Sequence, residues 1–184
     1  MSPSTVWSDW SCRVRVTVDK ASALEDARVL VTRLMDDVAQ AIDRFRPDSD
    51  LSAINSAAGR MTPVSRRTIA LLDAAIEAAA ATGGAVDPTI GLHVQRAGYD
   101  TDIDAVRSAI QLVSPLTLKQ ADWTRVRVDH DLSLAGVPAG LQLDLGATAK
   151  AWTADTAARQ IADTLGTAAL VEIGGDLSVA GDRD

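Results

Sequence analysis

The chain has 184 residues, 47% of them hydrophobic, which is enough for one domain with a buried core. Its 18 basic and 25 acidic residues give a net charge of −7, so nucleic acids and acidic membrane surfaces are not expected partners. The single cysteine, Cys12, excludes an intrachain disulfide and any metal site built from several cysteines.

The N-terminal residues show neither the charged start nor the apolar region of a signal peptide. No run of the sequence approaches the roughly 18 apolar residues of a membrane-spanning helix. The sequence therefore predicts a cytoplasmic protein without a membrane span.

The first half of the chain predicts one strand and two long helices. Valines alternate with arginine and threonine over residues 12–18, which is the period of a strand with one buried face. Residues 22–44 carry an apolar stripe at helical spacing, and Pro47 ends that helix. Ser65 is the predicted N-cap of a second helix, which continues through Ala81 to a double glycine.

The second half mixes short elements of both kinds. Its pattern predicts a helix at 102–112, a hairpin formed by 123–128 and 132–134, strands at 141–145, 168–173 and 177–180, and a helix at about 148–165. Strands and helices do not alternate regularly, which favours the α+β class with a mixed sheet and packed helices. The last strand is expected to be an unpaired edge, because no return strand follows it.

The stretch LQLDLGATAKAWTAD indicates a strand that ends near Asp144, turns at Gly146 and enters a helix carrying Lys150. The first N–H groups of a helix lack intrahelical partners and carry partial positive charge, so such a junction is typical of anion sites. A lysine there costs about 0.3–1 kcal/mol unless it meets a negative group. A solvated lysine at an ordinary junction is the alternative.

Three aspartates lie within two residues of a glycine or proline, where the backbone can approach a ligand closely. They are Asp87, Asp144 and Asp176. Ordinary turn chemistry explains any one of them alone, and the three together favour a site. Asn55 is either a helix-end residue or a polar group of the site.

Four blocks of the sequence, taken together, resemble the FAD:protein FMN transferases, a family also known as thiamine-biosynthesis lipoproteins. The blocks are FRPDSDLSAIN, TGGAVDPTIG, LDLGATAKAWTAD and VEIGGDLSVAG. Their order and spacing match the first two-thirds of the family pattern and cover nearly all of the chain. The resemblance implies the flavin transferase fold and a single domain over residues 1–184, truncated at its C-terminus.

The resemblance also implies an activity. Family members transfer FMN from FAD to a Ser or Thr hydroxyl of a partner flavoprotein, release AMP and use Mg²⁺. The expected partners are therefore FAD and an acceptor flavoprotein. Two alternatives use the same residues: an FAD pyrophosphatase that forms FMN and AMP, and a non-catalytic flavin-binding module.

The resemblance assigns roles to individual positions. It implies that Asp144 and Lys150 contact FAD and that the carbonyl oxygen of Ala147 binds magnesium. The nucleotide pocket would be lined by Ala85, Val86 and Asp87. Phe45 stands where the family has a tyrosine against FAD, and Trp10 replaces the methionine of an N-terminal Met-Gly-Thr block. No residue is assigned as catalytic.

The family pattern continues beyond the last block into a His-Ile-Ile-Asp-Pro segment and further metal ligands, which this sequence does not contain. One carbonyl makes a weak magnesium site, because oxygen-only sites need several ligands. We therefore expect these 184 residues alone to have little transfer activity.

Overall fold

The computed structural model describes residues 2–98 and 120–182. The chain divides into two compact units: the terminal unit, Met1–Asp37 with Ala149–Asp184, and the central unit, Val38–Thr148. The predicted helix at 102–112 lies outside the described residues. Within them, no helix has the length and apolar character needed to cross a membrane.

Helices and antiparallel strands confirm the α+β class. The strands are β1 (Ser4–Asp9), β2 (Cys12–Val18), β3 (Thr62–Pro63), β4 (Arg127–Asp129), β5 (Leu134–Gly136), β6 (Ala169–Ile173) and β7 (Asp176–Ala180). The α-helices are α1 (Leu24–Ile42), α2 (Asp50–Ser56), α3 (Arg66–Ala81), α4 (Gly91–Arg96) and α5 (Gly146–Leu165).

The terminal unit contains a four-stranded antiparallel sheet in the order β1-β2-β6-β7. Alternation along β2 and β6 buries one face of the sheet, where Val16 pairs with Val171 and Val14 with Ile173. The strands predicted at 12–18, 168–173 and 177–180 are confirmed. Strand β1 was not predicted, because the mostly polar sequence STVWSD shows too little alternation of apolar and polar residues to indicate a strand.

Two hairpins of this sheet turn in two residues each. Both turns place their central residues at positive φ, as tight hairpins require. Gly174 and Gly175 do so at 60° and 100° without steric cost, whereas Trp10 and Ser11 adopt 49° and 54° with side chains present. The β1–β2 turn is therefore the strained one of the pair.

The central unit contains α2, α3, α4 and a small sheet in the order β3-β5-β4. Ser65 caps α3 as predicted, because its hydroxyl accepts the N–H of Thr68 at 3.2 Å. The predicted hairpin exists as β4 and β5, but residues 123–125 form a 3-10 turn before it. The strand predicted at 141–145 is wrong: this segment joins no sheet and has one isolated bridge, between Gln142 and Ile90.

Candidate functional site

The extended segment at residues 141–145 leads directly into α5. Its backbone is fixed on one side by the loop before α4: Gly91 N–H donates to the carbonyl oxygen of Gln142 at 2.9 Å, and Asp144 N–H donates to that of Pro88 at 2.8 Å. A Cβ at Gly91 would lie 2.8 Å from the Leu143 carbonyl oxygen, so only glycine allows this approach.

Asn55 fixes the other side of the segment. Its Nδ2 donates to the Leu143 carbonyl oxygen at 3.0 Å, and its Oδ1 accepts the Leu143 N–H at 2.7 Å. The side-chain amide thus takes the place of a neighbouring strand and satisfies both backbone groups of a buried residue. We call this pair of bonds the amide clamp. Asn55 lies in the last turn of α2, and its assignment to an FAD site stays a prediction.

The carboxylate of Asp144 is held at both oxygens. Oδ1 accepts the N–H of Gly146, the first residue of α5, at 2.8 Å, and Oδ2 pairs with Nε of Arg44 at 3.2 Å. Both side chains are only 15% exposed. The positive end of α5 therefore already meets an internal anion, Asp144.

Phe45 offers an aromatic surface beside this ion pair. Its side chain is 47% exposed, and the guanidinium of Arg44 lies 4.4 Å from the centre of its ring. Exposed aromatic rings next to a cation are suited to stacking on a flat ligand.

The loop after α3 is organised by Asp87. Its Oδ1 accepts the N–H and the hydroxyl of Thr89 at 2.7 and 2.6 Å, and its Oδ2 accepts the N–H of Trp123 at 3.3 Å. The buried Thr89 hydroxyl in turn accepts the N–H of Asp122 at 2.8 Å. The Asp87 carboxylate thereby has a structural role of its own in shaping the loop that contains Ala85 and Val86.

A polar cavity of about 140 Å³ lies next to the amide clamp. It is lined by Arg44, Ser52, Asn55, Ser56, Gly91, Gln95, Gln142 and Leu143. Most of these residues offer hydrogen-bonding side chains, so the central unit presents a polar hollow beside the Asp144 segment.

In the terminal unit, Lys150 lies near the β6–β7 turn. A Cβ at Gly174 would lie 3.1 Å from Cys12 Sγ and 3.3 Å from Lys150 Cδ, so these three residues are packed together. Burial raises the pKa of the Cys12 thiol, Lys150 lowers it, and Asp9 and Asp176 raise it further. The structure thus brings Lys150 and Asp176 to the same neighbourhood, beside the hairpin that contains Trp10.

The described residues do not make a magnesium site by themselves. No group of three or more His, Cys, Asp or Glu side chains within residues 2–98 and 120–182 could hold a metal ion. Ala147 is exposed, but its carbonyl is a single ligand, and the carboxylate of Asp144 is already paired with Arg44. Magnesium prefers near-octahedral oxygen coordination, which this set does not supply.

The sequence did not single out Arg44 and Thr89, although both contact predicted site residues. Arg44 was assigned to the predicted helix at 22–44, whereas α1 ends at Ile42, two residues earlier. Thr89 carried a weak signal: a threonine two residues after an aspartate is a common side-chain turn.

Solved structures share this fold. The structure superposes on the ApbE protein of Thermotoga maritima with a TM-score of 0.83 and 24% identity, covering 100% of this chain and 60% of that one. The apo flavinyl transferase ApbE of Pseudomonas stutzeri gives a TM-score of 0.79 at 21% identity, covering 100% and 57%. By fold, the chain is therefore an α+β protein with the architecture of these ApbE structures.

Sequence comparison makes the assignment specific. The model of the ApbE family matches residues 9–184, and the chain belongs to that family. It is 33% identical over 178 residues to the FAD:protein FMN transferase of Treponema pallidum (strain Nichols), a match that covers 92% of this chain and 49% of the relative. The chain thus spans about half the length of this curated relative.

Proposed function

We propose that the chain serves FAD:protein FMN transfer, in which FMN moves from FAD to a Ser or Thr hydroxyl of an acceptor flavoprotein and AMP is released. The family match over residues 9–184 supports the proposal, as does the relative that is named FAD:protein FMN transferase.

The structural observation that carries the proposal is the fixed position of Asp144. Four contacts, to Pro88, Gly146, Arg44 and, through the neighbouring Leu143, to Asn55, hold a carboxylate at the start of a long helix. A group held this rigidly can orient a ligand without losing conformational entropy when the ligand binds.

The proposed FAD contacts differ in chemistry. In the central unit, Phe45 would stack on a flat ring and Asp144 would accept hydrogen bonds from the nucleotide. Ala85, Val86 and Asp87 would bound the pocket chiefly through their backbone. In the terminal unit, Lys150 would meet the negative charge of the pyrophosphate, and Trp10 and Asp176 are further proposed contacts.

The reaction breaks one bond and forms one. The acceptor hydroxyl oxygen attacks the phosphorus of the FMN half, and the P–O bond to the AMP phosphate breaks. The hydroxyl proton passes to solvent, and AMP departs with the electron pair of the broken bond. Negative charge grows on the pyrophosphate oxygens, so a fixed cation such as Lys150 stabilises the transition state more than the ground state.

Magnesium dependence is part of the proposal. The carbonyl of Ala147 would supply one ligand, and the others would come from outside the described residues.

The proposal is tested by incubating a longer form of the protein that carries the rest of the family pattern with FAD and a threonine-bearing acceptor protein, with and without Mg²⁺; the 184 residues alone, assayed beside it, should label the acceptor only weakly. In-gel flavin fluorescence would detect covalent FMN, and chromatography would quantify AMP. Covalent FMN and AMP in equal amounts support the transfer. The rate should fall about 10²–10³-fold when Lys150→Met removes the cation.

Other outcomes separate the alternatives. AMP with free FMN and no labelled acceptor would instead indicate a pyrophosphatase. FAD that raises the melting temperature without turnover would indicate a binding module. FMN that raises the melting temperature as much as FAD does would contradict a pocket that recognises the adenine half.

A further inference from the structure

Arg44 contacts two of the proposed FAD-binding residues through different parts of one guanidinium group. It lies two residues beyond the end of α1 and immediately before Phe45. Its Nε is 3.2 Å from Oδ2 of Asp144, and its Cζ is 4.4 Å from the centre of the Phe45 ring.

The ion pair fixes the carboxylate. Asp144 Oδ1 is already held by the N–H of Gly146, so the bond from Arg44 to Oδ2 leaves the carboxylate without freedom to rotate. Both partners are 15% exposed, and screening by solvent is therefore weaker than for a surface pair.

The cation–π contact restricts the ring. Phe45 lies in the turn after α1 and is 47% exposed. A planar guanidinium against the ring restricts it while leaving much of its surface open. A lysine would keep the charge but lose the flat surface.

We propose that Arg44 is a positioning residue of the flavin-nucleotide site, which holds Asp144 and Phe45 in one fixed arrangement before FAD binds. The inference rests on the proposed function. Arg44 acts through the two residues it holds, so its loss should weaken FAD binding by the folded protein.

The test measures the Kd of FAD by flavin fluorescence for wild type, Arg44→Met and Arg44→Lys. Methionine should weaken FAD binding about tenfold and lysine about threefold, because Arg44 is in direct contact with both residues that it positions. Arg46→Met is the matched control. Arg46 contacts Gln40 and Asp48, and the control should bind FAD like wild type.

A double-mutant cycle separates positioning from a general loss of structure. In an Asp144→Asn background, Arg44→Met should weaken FAD binding by only about twofold, because the pair it supports is already broken. An equal, tenfold effect in both backgrounds would overturn the inference.

The remaining outcomes distinguish a failure of the proposed function from a failure of the positioning role of Arg44. If wild type does not bind FAD, the proposed function fails, and the inference fails with it. If wild type binds FAD and Arg44→Met binds equally well, the inference alone is overturned. Should Arg44→Met fail to fold, Arg44→Lys decides: an affinity equal to that of wild type contradicts the role of the flat guanidinium.

Discussion

Two regions of this molecule hold extended backbone by different means. In the terminal unit, β2 and β6 pair through a regular ladder over five residues. In the central unit, residues 141–145 bury alternate side chains in the same way but are held by the Asn55 amide, by Gly91 and by the Pro88 carbonyl. The ladder buries a uniform apolar face, whereas the 141–145 segment places the Asp144 carboxylate against Arg44. Side-chain and loop contacts alone can therefore hold a charged side chain in a fixed position on a segment that belongs to no sheet.

The largest expected effect is in the ladder. Ile173→Ala removes a fully buried side chain from β6 and should lower the free energy of unfolding by about 3 kcal/mol, mainly through the cavity it leaves. Leu177→Ala in β7, where the side chain is 58% exposed, is the control and should change it by less than about 0.5 kcal/mol. Urea denaturation measures both. Similar losses for the two variants would contradict the assigned sheet face.

The amide clamp should give the next largest effect. Asn55→Ala leaves the N–H and C=O of the buried Leu143 without partners and should cost about 2 kcal/mol. Hydrogen exchange of the Leu143 amide should accelerate more than that of β6 amides. Ser56→Ala, one residue further in α2, is the control. Unchanged exchange at Leu143 in Asn55→Ala would disprove the clamp.

These two regions also mark what the sequence could predict. The valine alternation in 12–18 predicted β2 correctly, because alternating burial along a strand depends only on residues that are adjacent in sequence. The same reasoning made residues 141–145 a strand, because Leu141, Leu143 and Leu145 alternate as strand residues do and are buried as such. The partner of Leu143 is Asn55, which lies 88 residues away in α2, and no local pattern reveals a side chain that substitutes for a strand.

The candidate site divides in the same manner. Asp144, Asn55 and Asp87 were found because each lies beside a glycine, a proline or a helix end. Arg44 was not, because its importance follows from tertiary contacts with Asp144 and with the ring of Phe45. The FAD contacts proposed for these residues came from the resemblance and stay predictions.

A smaller effect is expected where α2 ends. Ala58 adopts φ of 51°, a conformation that costs a residue with a Cβ about 1 kcal/mol. Ala58→Gly should therefore stabilise the protein by about 0.5–1 kcal/mol. Ala57→Gly is the matched control: Ala57 is right-handed at φ −74° and 7% exposed, so glycine there should destabilise. Melting temperatures that change in the same direction for both variants would contradict the left-handed conformation of Ala58.

The smallest effect concerns Cys12. Because burial raises its thiol pKa, alkylation by iodoacetamide near pH 8.5 should be slower in the folded than in the unfolded chain. Lys150→Met should slow it roughly twofold further, and Asp176→Asn should accelerate it roughly twofold. Because the folded protein favours the neutral thiol, Cys12 contributes to the free energy of unfolding below the pKa of an ordinary thiol. This contribution is lost as the pH rises through the higher pKa of Cys12 in the folded protein. Faster alkylation in Lys150→Met or slower alkylation in Asp176→Asn would contradict the packing of these residues around Cys12.

The amide clamp has a consequence for the order of folding. A bond between residues 88 positions apart closes a long loop, and the chain must lose that entropy before the contact forms. The β6–β7 hairpin needs only two residues to turn and can form early. The Asp144 segment has no ladder to extend from and waits for α2 to bring Asn55 into reach. Asn55→Ala should therefore speed unfolding and leave the refolding rate nearly unchanged, whereas clearly slowed refolding would instead place the clamp in the folding nucleus.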